Sequence, residues 1–171
     1  CPYARLASVY LDKIVGRTQE AWNFYNLVDR AFDLETLTFT DFVKQLAKPA
    51  IRNGNIHWRS QIDFLVYKEY DDYFCLEEFA KVVDSLQSQL GLEIVDARPL
   101  TQHGIDRLEL IEEDEFSSMS SIDIYNLKLS GKCPSPRSLY CDETISMVSR
   151  FFKDDIQLYQ DIFGSENLMY S

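Results

Sequence analysis

The sequence predicts an α/β fold in which helices dominate and a parallel sheet is small and incomplete. Residues 78–90 carry apolar side chains at helical spacing and stop at Gly91, which makes them the strongest predicted helix. Residues 62–67 are apolar on both faces, as a buried parallel strand is. Strand-like and helical segments alternate without a repeat or a linker. We therefore expect a single domain over residues 1–171.

The N-terminal third is predicted to be helical, with three amphipathic segments. Residues 3–15 form the first, with Arg5, Ser8 and Asp12 on a polar face and Pro2 suited to its first turn. The second covers residues 18–32, and the third starts at residues 40–41. The apolar residues expected to face inward in these helices are Tyr3, Leu6, Tyr10, Ile14, Ala21, Phe24, Tyr25, Val28, Phe32, Phe42, Val43, Leu46 and Ala47.

The remainder is predicted from weaker patterns. Residues 48–60 lose periodicity and are interpreted as a loop, and residues 73–76 and 92–97 as strands. Residues 98–136 are expected to be mostly irregular. The last helical region spans residues 140–164, with one inward face that keeps its spacing up to Gly164.

Charge and composition exclude several classes of protein. A net charge of −11 and a pI near 4.6 are a poor match for a nucleic-acid backbone. No apolar run is long enough to cross a bilayer, so no membrane partner is predicted. The four cysteines have no CxxC spacing. Cys133 and Cys141 would bridge in an oxidising compartment, but a core of this size favours the alternative that all four are reduced.

The first ten residues carry a resemblance to a known family. Sulfotransferases of the carbohydrate-modifying group share a segment of Arg, Asn or Asp, Pro, two residues, Arg-Leu, one residue, Ser, one residue and Tyr, often followed by Asp-Lys. The matching residues here are Pro2, Arg5, Leu6, Ser8, Tyr10, Asp12 and Lys13. Three further segments resemble the family in the same order: residues 55–61, residues 73–77, and the pattern of Tyr140, Val148, Phe152, Asp155 and Phe163-Gly164.

The resemblance implies the helix-rich part of a P-loop-like sulfotransferase fold. It implies a nucleotide sulfate donor, 3′-phosphoadenosine-5′-phosphosulfate, a carbohydrate acceptor, and no metal. By the resemblance, Ser8 is a direct ligand of the donor's 3′-phosphate. Arg5 is either a second ligand or a structural residue paired with a carboxylate.

Two residues are candidates for the base that takes the acceptor's proton. His57 lies in the predicted loop that resembles a family motif, although Ser60 stands where the family has proline. The alternative for His57 is a loop residue that supports Trp58. Glu77 would act as the base or orient a substrate hydroxyl, and its alternative is a carboxylate at the start of the following helix. His103 receives no role.

The family's 5′-phosphosulfate loop and the arginine two positions before Pro2 have no counterpart in the sequence, which starts with Cys1. We therefore expect a partial reading frame that is inactive alone, because the charge-neutralising groups are the largest part of such catalysis. A missing central strand would leave a sheet edge open to pairing with a second copy. The bacterial cytoplasm is the favoured compartment, with the Golgi lumen as the alternative if an anchor was lost.

Two rival interpretations remain. One is a degenerate, non-enzymatic α/β interaction module that kept the scaffold and lost the chemistry. The other is a metal site built from Glu69, Asp71, Asp72 or the acidic residues 112–115, but neither stretch has the spacing of a calcium loop. Acidic runs of this kind are usually solvated.

Overall fold

Helices are the main regular structure of this chain. The computed structural model describes residues 1–28, 30–96, 105, 107–112 and 115–170. The strands β1 (Glu109–Ile111) and β2 (Lys132–Pro134) form a parallel pair. A π-helical turn, Tyr10–Ile14, continues α1, and 3-10 turns occupy Gln61–Phe64 and Leu76–Glu78. The predicted helix-rich α/β class with a small parallel sheet is confirmed. The α-helices are α1 (Pro2–Val9), α2 (Gln19–Leu27), α3 (Phe39–Gln45), α4 (Pro49–Arg52), α5 (Phe79–Leu90), α6 (Ser121–Leu129), α7 (Asp142–Phe151) and α8 (Lys153–Phe163).

The first helix lies within the core, as its apolar spacing predicts. Its buried residues include the four expected ones, Tyr3, Leu6, Tyr10 and Ile14. The Tyr10 hydroxyl donates to the carbonyl of Leu37 at 2.9 Å, and its ring packs edge to face against Phe39 with centroids 5.3 Å apart. Tyr140 donates to the carbonyl of Tyr3 at 2.9 Å. These buried hydroxyls are satisfied, so α1 is held from both the α3 and the α7 side.

Helix α3 begins at a capping box. The Thr38 side chain accepts from the Asp41 amide at 3.0 Å, and the Asp41 carboxylate accepts from the Thr38 amide at 3.2 Å. Two amides that a helix start leaves unpaired are thereby satisfied. Phe42 and Val43 are buried as predicted, whereas Ala47 is exposed because the helix ends at Gln45.

Replacing Thr38 with alanine is expected to lower the free energy of unfolding by about 1 kcal/mol, because the cap of α3 is lost. Urea denaturation followed by far-UV circular dichroism measures it. Thr36→Ala is the control, since Thr36 is exposed and outside the helix; it should cost less than about 0.5 kcal/mol. Equal losses in the two variants would contradict a stabilising capping box.

Two predicted helices are shorter or broken. The helix expected over residues 18–32 ends at Leu27, and Arg30 then adopts φ 57° and donates its amide to the Tyr25 carbonyl. This left-handed residue reverses the chain, as at many helix ends. The last helical region is two helices, α7 and α8, which meet at the buried Phe152.

The strands predicted at residues 62–67 and 73–76 are wrong. Neither range contains a strand; the first instead begins inside a 3-10 turn. The backbone amides of Gln61 and Ile62 donate to the buried carboxylate of Asp155 at 2.8 and 3.1 Å. A strand needs its amides for the ladder of a sheet, and these two amides are held by a side chain.

An exposed apolar strip, residues 64–67, follows that turn. Phe64, Leu65, Val66 and Tyr67 are all exposed, and the amides of the last two donate to the hydroxyl of Tyr70. The strip therefore has neither the burial nor the pairing that its apolar pattern predicts.

Helix α5 is confirmed with its predicted stop, since Gly91 adopts φ 64° at the C-terminal cap. Its apolar face is not buried as expected. Phe79, Val82 and Leu86 are half-buried and Leu90 is exposed. The amphipathic pattern predicts the helix correctly but not how fully its face is covered.

The region predicted to be mostly irregular, residues 98–136, contains β1, α6 and β2. Helix α6 is capped by Ser120, whose hydroxyl accepts from the Asp123 amide, and only Ser121 and Ile124 on the helix are buried. A helix with so narrow a buried face gives little periodic signal, and strands of three residues give none.

Other weak predictions have mixed outcomes. The loop predicted at residues 48–60 starts with the short helix α4, and residues 92–96 form no strand. Ala97, His103 and the central residues 113–114 of the acidic run lie outside the described residues. Pairing with a second copy through a sheet edge stays a prediction.

Candidate functional site

The side chain of Arg5 lies between the predicted loop and α8. Its Nη1 donates to the carbonyl of His57 at 3.3 Å, and its Nη2 lies 3.7 Å from a carboxylate oxygen of Asp155. The guanidinium carbon is 5.9 Å from the centre of the Phe152 ring. Burial lowers the pKa of Arg5, and the charge of Asp155 partly offsets this. These contacts favour the structural alternative for Arg5; its role as a phosphate ligand stays a prediction.

Asp155 is the buried carboxylate around which this region is assembled. Its side chain is 1% exposed and accepts both amides at the start of the turn Gln61–Phe64. Burial raises the pKa of Asp155, while those two amides and Arg5 act in the opposite direction. A buried ion pair of this kind requires further hydrogen bonds, which the backbone supplies here.

His57 is held by Asn55 and by a carboxylate. The Asn55 side chain accepts from the His57 amide at 2.9 Å, and Nε2 of the ring lies 3.4 Å from the Glu20 carboxylate on α2. A hydrogen bond from the Thr18 hydroxyl, together with a backbone amide, Lys13 and His57, lowers the pKa of Glu20. An ionised Glu20 orients the imidazole, in the way that a carboxylate supports a histidine base.

Glu77 is engaged by two neighbours. One oxygen lies 2.6 Å from the nitrogen of Cys1, and the other accepts from the Tyr159 hydroxyl at 3.3 Å. Burial acts to raise the pKa of Glu77, but these hydrogen bonds and its own backbone amide outweigh burial and lower it. Both oxygens are occupied, so Glu77 is less available as a base than His57.

Ser8 is exposed on α1, six residues after the first helical residue. It therefore lies almost two turns from the unpaired amides of the helix start. Within the described part of the chain, its hydroxyl makes no hydrogen bond. The structure thus brings Arg5 and His57 together, places Glu77 near the same end of α1, and leaves Ser8 free to contact a ligand from solvent.

The sequence reasoning assigned no site role to Asp155, Glu20 or Tyr159, which hold the candidate residues in place. Two signals were present for Asp155: it belongs to the C-terminal segment that resembles the family, and it falls on the inward face of α8 with Tyr159, where a charged residue interrupts an apolar pattern. No comparable signal marks Glu20, because an acidic residue near a helix start is common.

Neither a membrane span nor a metal centre appears in the described ranges. Their helices are too short or too polar to cross a bilayer. No group of three histidine, cysteine, aspartate or glutamate residues in them is arranged to hold a metal ion. All four cysteines are free thiols.

Comparison of the sequence with models of known protein families identifies the family of this chain. The model of the sulfotransferase family matches residues 2–160, which is nearly the whole chain. The chain belongs to the sulfotransferase family, whose chemistry is sulfuryl transfer. Neither the comparison with curated proteins nor that with solved structures gives a match.

Proposed function

We propose that this domain transfers a sulfuryl group from 3′-phosphoadenosine-5′-phosphosulfate to a carbohydrate hydroxyl in the complete enzyme. The observation that carries sulfuryl transfer is the family match over residues 2–160. The donor and the acceptor class rest on the four ordered segments that resemble the carbohydrate-modifying group.

In the proposed reaction, the acceptor oxygen forms a bond to sulfur while the bond from sulfur to the bridging oxygen of the 5′-phosphate breaks. The electron pair of that bond leaves with adenosine 3′,5′-bisphosphate. The proton of the acceptor hydroxyl passes to a base on the protein.

His57 is the proposed base. Its Nε2 faces the ionised Glu20 at 3.4 Å, so the imidazole proton resides on Nε2 and Nδ1 is left as the acceptor. The side chain is one-third exposed, which gives a substrate access to it. Glu77 accepts a hydrogen bond from the Tyr159 hydroxyl, which supports a positioning role rather than proton transfer.

The same contacts support the proposal that this chain is inactive by itself. A leaving bisphosphate needs a cation that is free to neutralise it. Arg5 lies beside His57, but it is already paired with Asp155. That pairing also favours the second candidate function, a non-catalytic binding module that kept the scaffold; such a module would bind the bisphosphate without turning over the donor.

Binding of adenosine 3′,5′-bisphosphate tests the donor site. At about ten times its dissociation constant, the ligand should stabilise the protein by about 1.4 kcal/mol, or about 4 °C in a thermal-shift titration. Ser8→Ala should remove most of that shift, because the hydroxyl is the proposed 3′-phosphate ligand.

Ser146→Ala is the matched control, since Ser146 is also exposed within a helix, α7, and both changes alter helix propensity alike. The ligand-induced shift, not the melting temperature, is compared. No stabilisation of the unaltered protein, or an equal shift after Ser8→Ala, would count against the proposed site.

A further inference from the structure

A cavity lies beyond the other end of α1, more than two helical turns from Arg5. Its volume is about 530 Å³, which is within the range of about 300–1,000 Å³ for small-molecule sites. The residues that decide its chemistry are Arg17, Trp22, Tyr25, Arg30, Asp33 and Glu35. None of them belongs to the candidate site around His57.

One wall of this cavity is aromatic. The Trp22 side chain is 50% exposed, although tryptophan is usually largely buried. Its ring meets that of Tyr25 edge to face, with centroids 6.0 Å apart. An exposed indole face beside a second ring offers an apolar surface to the C–H face of a ring-shaped ligand.

The polar part of the cavity lining is held by hydrogen bonds and one ion pair. The Asp33 carboxylate accepts from the Glu35 amide at 2.9 Å, and the Glu35 carbonyl accepts from Ser121 and from residue 122 of α6. Arg17 lies 3.2 Å from the Glu35 carboxylate and 5.4 Å from the ring centre of Tyr125. Carboxylates held in this way remain acceptors for ligand hydroxyl groups.

The charges that line the cavity favour a ligand with a single negative charge over a polyanion. Two arginines are balanced by Asp33 and Glu35, and Arg17 is already paired with Glu35. Arg30 makes no ion pair with any residue that the structure describes, and its guanidinium carbon lies 6.0 Å from the Tyr25 ring centre. A polyphosphate would meet two carboxylates here, whereas a single carboxylate would meet Arg30.

We propose that this cavity binds a sugar acid: a hydroxyl-bearing ring that stacks on Trp22, donates hydrogen bonds from its hydroxyl groups to Asp33 and Glu35, and directs one carboxylate to Arg30. This site goes beyond the proposed sulfuryl transfer, since it shares no residue with the site around His57. Its test contains no sulfuryl donor, so either proposal can fail without the other.

The test is a titration of ¹⁵N-labelled protein with methyl β-D-glucuronide, followed by the two tryptophan indole N–H signals in NMR spectra. The Trp22 signal should shift and saturate, while the Trp58 signal should stay, because Trp58 is fully buried and donates to the Ile51 carbonyl. Methyl β-D-glucoside, which lacks the charge, should bind about three- to fivefold more weakly.

Arg30→Gln should remove the preference for the charged sugar. Arg150→Gln is the matched control, since Arg150 also lies over an aromatic ring, that of Phe151, but outside the cavity; it should keep the preference. An unchanged Trp58 signal verifies the fold of each variant. Trp22→Ala should abolish saturation transfer from the protein to the glucuronide.

Three results would each overturn the proposal. The first is that the Trp22 signal shows no saturable shift up to about 20 mM glucuronide, a concentration that would reveal even a dissociation constant of several millimolar. The second is equal affinity for the two glycosides. The third is a Trp22 shift produced by adenosine 3′,5′-bisphosphate and not by the glucuronide, which would make the cavity a nucleotide site.

Discussion

Replacing Asp155 with alanine is expected to lower the free energy of unfolding by about 3–5 kcal/mol, because it removes a buried carboxylate that pairs with the partly buried Arg5 and accepts two backbone amides. Arg5 loses its carboxylate, and the amides of Gln61 and Ile62 lose their only acceptor among the described residues. Urea denaturation measures the loss. Hydrogen exchange should also accelerate at those two amides.

Asp154→Ala is the matched control for Asp155. Asp154 is exposed in the same first turn of α8, so its removal should cost only the helix-dipole contribution, about 0.3–1 kcal/mol. A loss after Asp155→Ala no larger than that of Asp154→Ala would contradict the organising role of the buried carboxylate.

The pH dependence of stability has a definite sign for Asp155. Burial raises its native pKa above the ordinary value of about 3.9. Between the two values the unfolded chain releases the proton first, so unfolding is favoured as pH rises. The stability of the natural protein relative to Asp155→Asn should therefore fall as pH rises through this window and then stay constant. A rise instead would mean that the amides and Arg5 outweigh burial.

Trp58→Ala is expected to cost about 3–5 kcal/mol, since it opens a large cavity in the core. The Trp58 ring is fully buried and meets those of Phe24 and Phe42 edge to face, with centroids 5.8 and 5.9 Å apart. Its Nε1 donates to the Ile51 carbonyl at 2.9 Å. The free energy of unfolding is read from urea denaturation by circular dichroism.

Two further variants separate the contributions of Trp58. Trp58→Phe keeps an aromatic ring but loses the indole N–H donor, while the Ile51 carbonyl still accepts from the Gly54 amide, so the missing hydrogen bond should cost only about 0.5–1.5 kcal/mol. Trp22→Ala removes the same side chain from a half-exposed position and should cost less than about 0.5 kcal/mol. Similar losses at Trp58 and Trp22 would refute the core role.

Long amphipathic helices were predictable from sequence because their periodicity repeats over several turns. The helix at α1 and the one at α5 both follow the predicted spacing. The strand expected at residues 62–67 failed because a side chain far along the chain, Asp155, binds the amides at its start. A local pattern carries no information about such a distant partner.

The candidate site was predictable only in part, because its local segments could be recognised but contacts between distant segments could not. The family resemblance selected Arg5, His57 and Glu77, which the structure places around one end of α1. Their partners, Glu20 and Asp155, come from elements distant in sequence. Asp155 belongs to the C-terminal segment that resembles the family, but the resemblance did not pair it with Arg5, and no motif marks Glu20. The sequence was enough to select the candidate residues. Which partners their side chains already bind could be seen only in the structure.

The exposed apolar strip, residues 64–67, has a consequence for colloidal behaviour. A net charge of −11 makes copies of the chain repel one another at neutral pH, which keeps these surfaces apart. Near the pI of about 4.6 the repulsion vanishes, and high salt screens it. Mutual repulsion of acidic surfaces, rather than burial, is then what protects the strip from self-association.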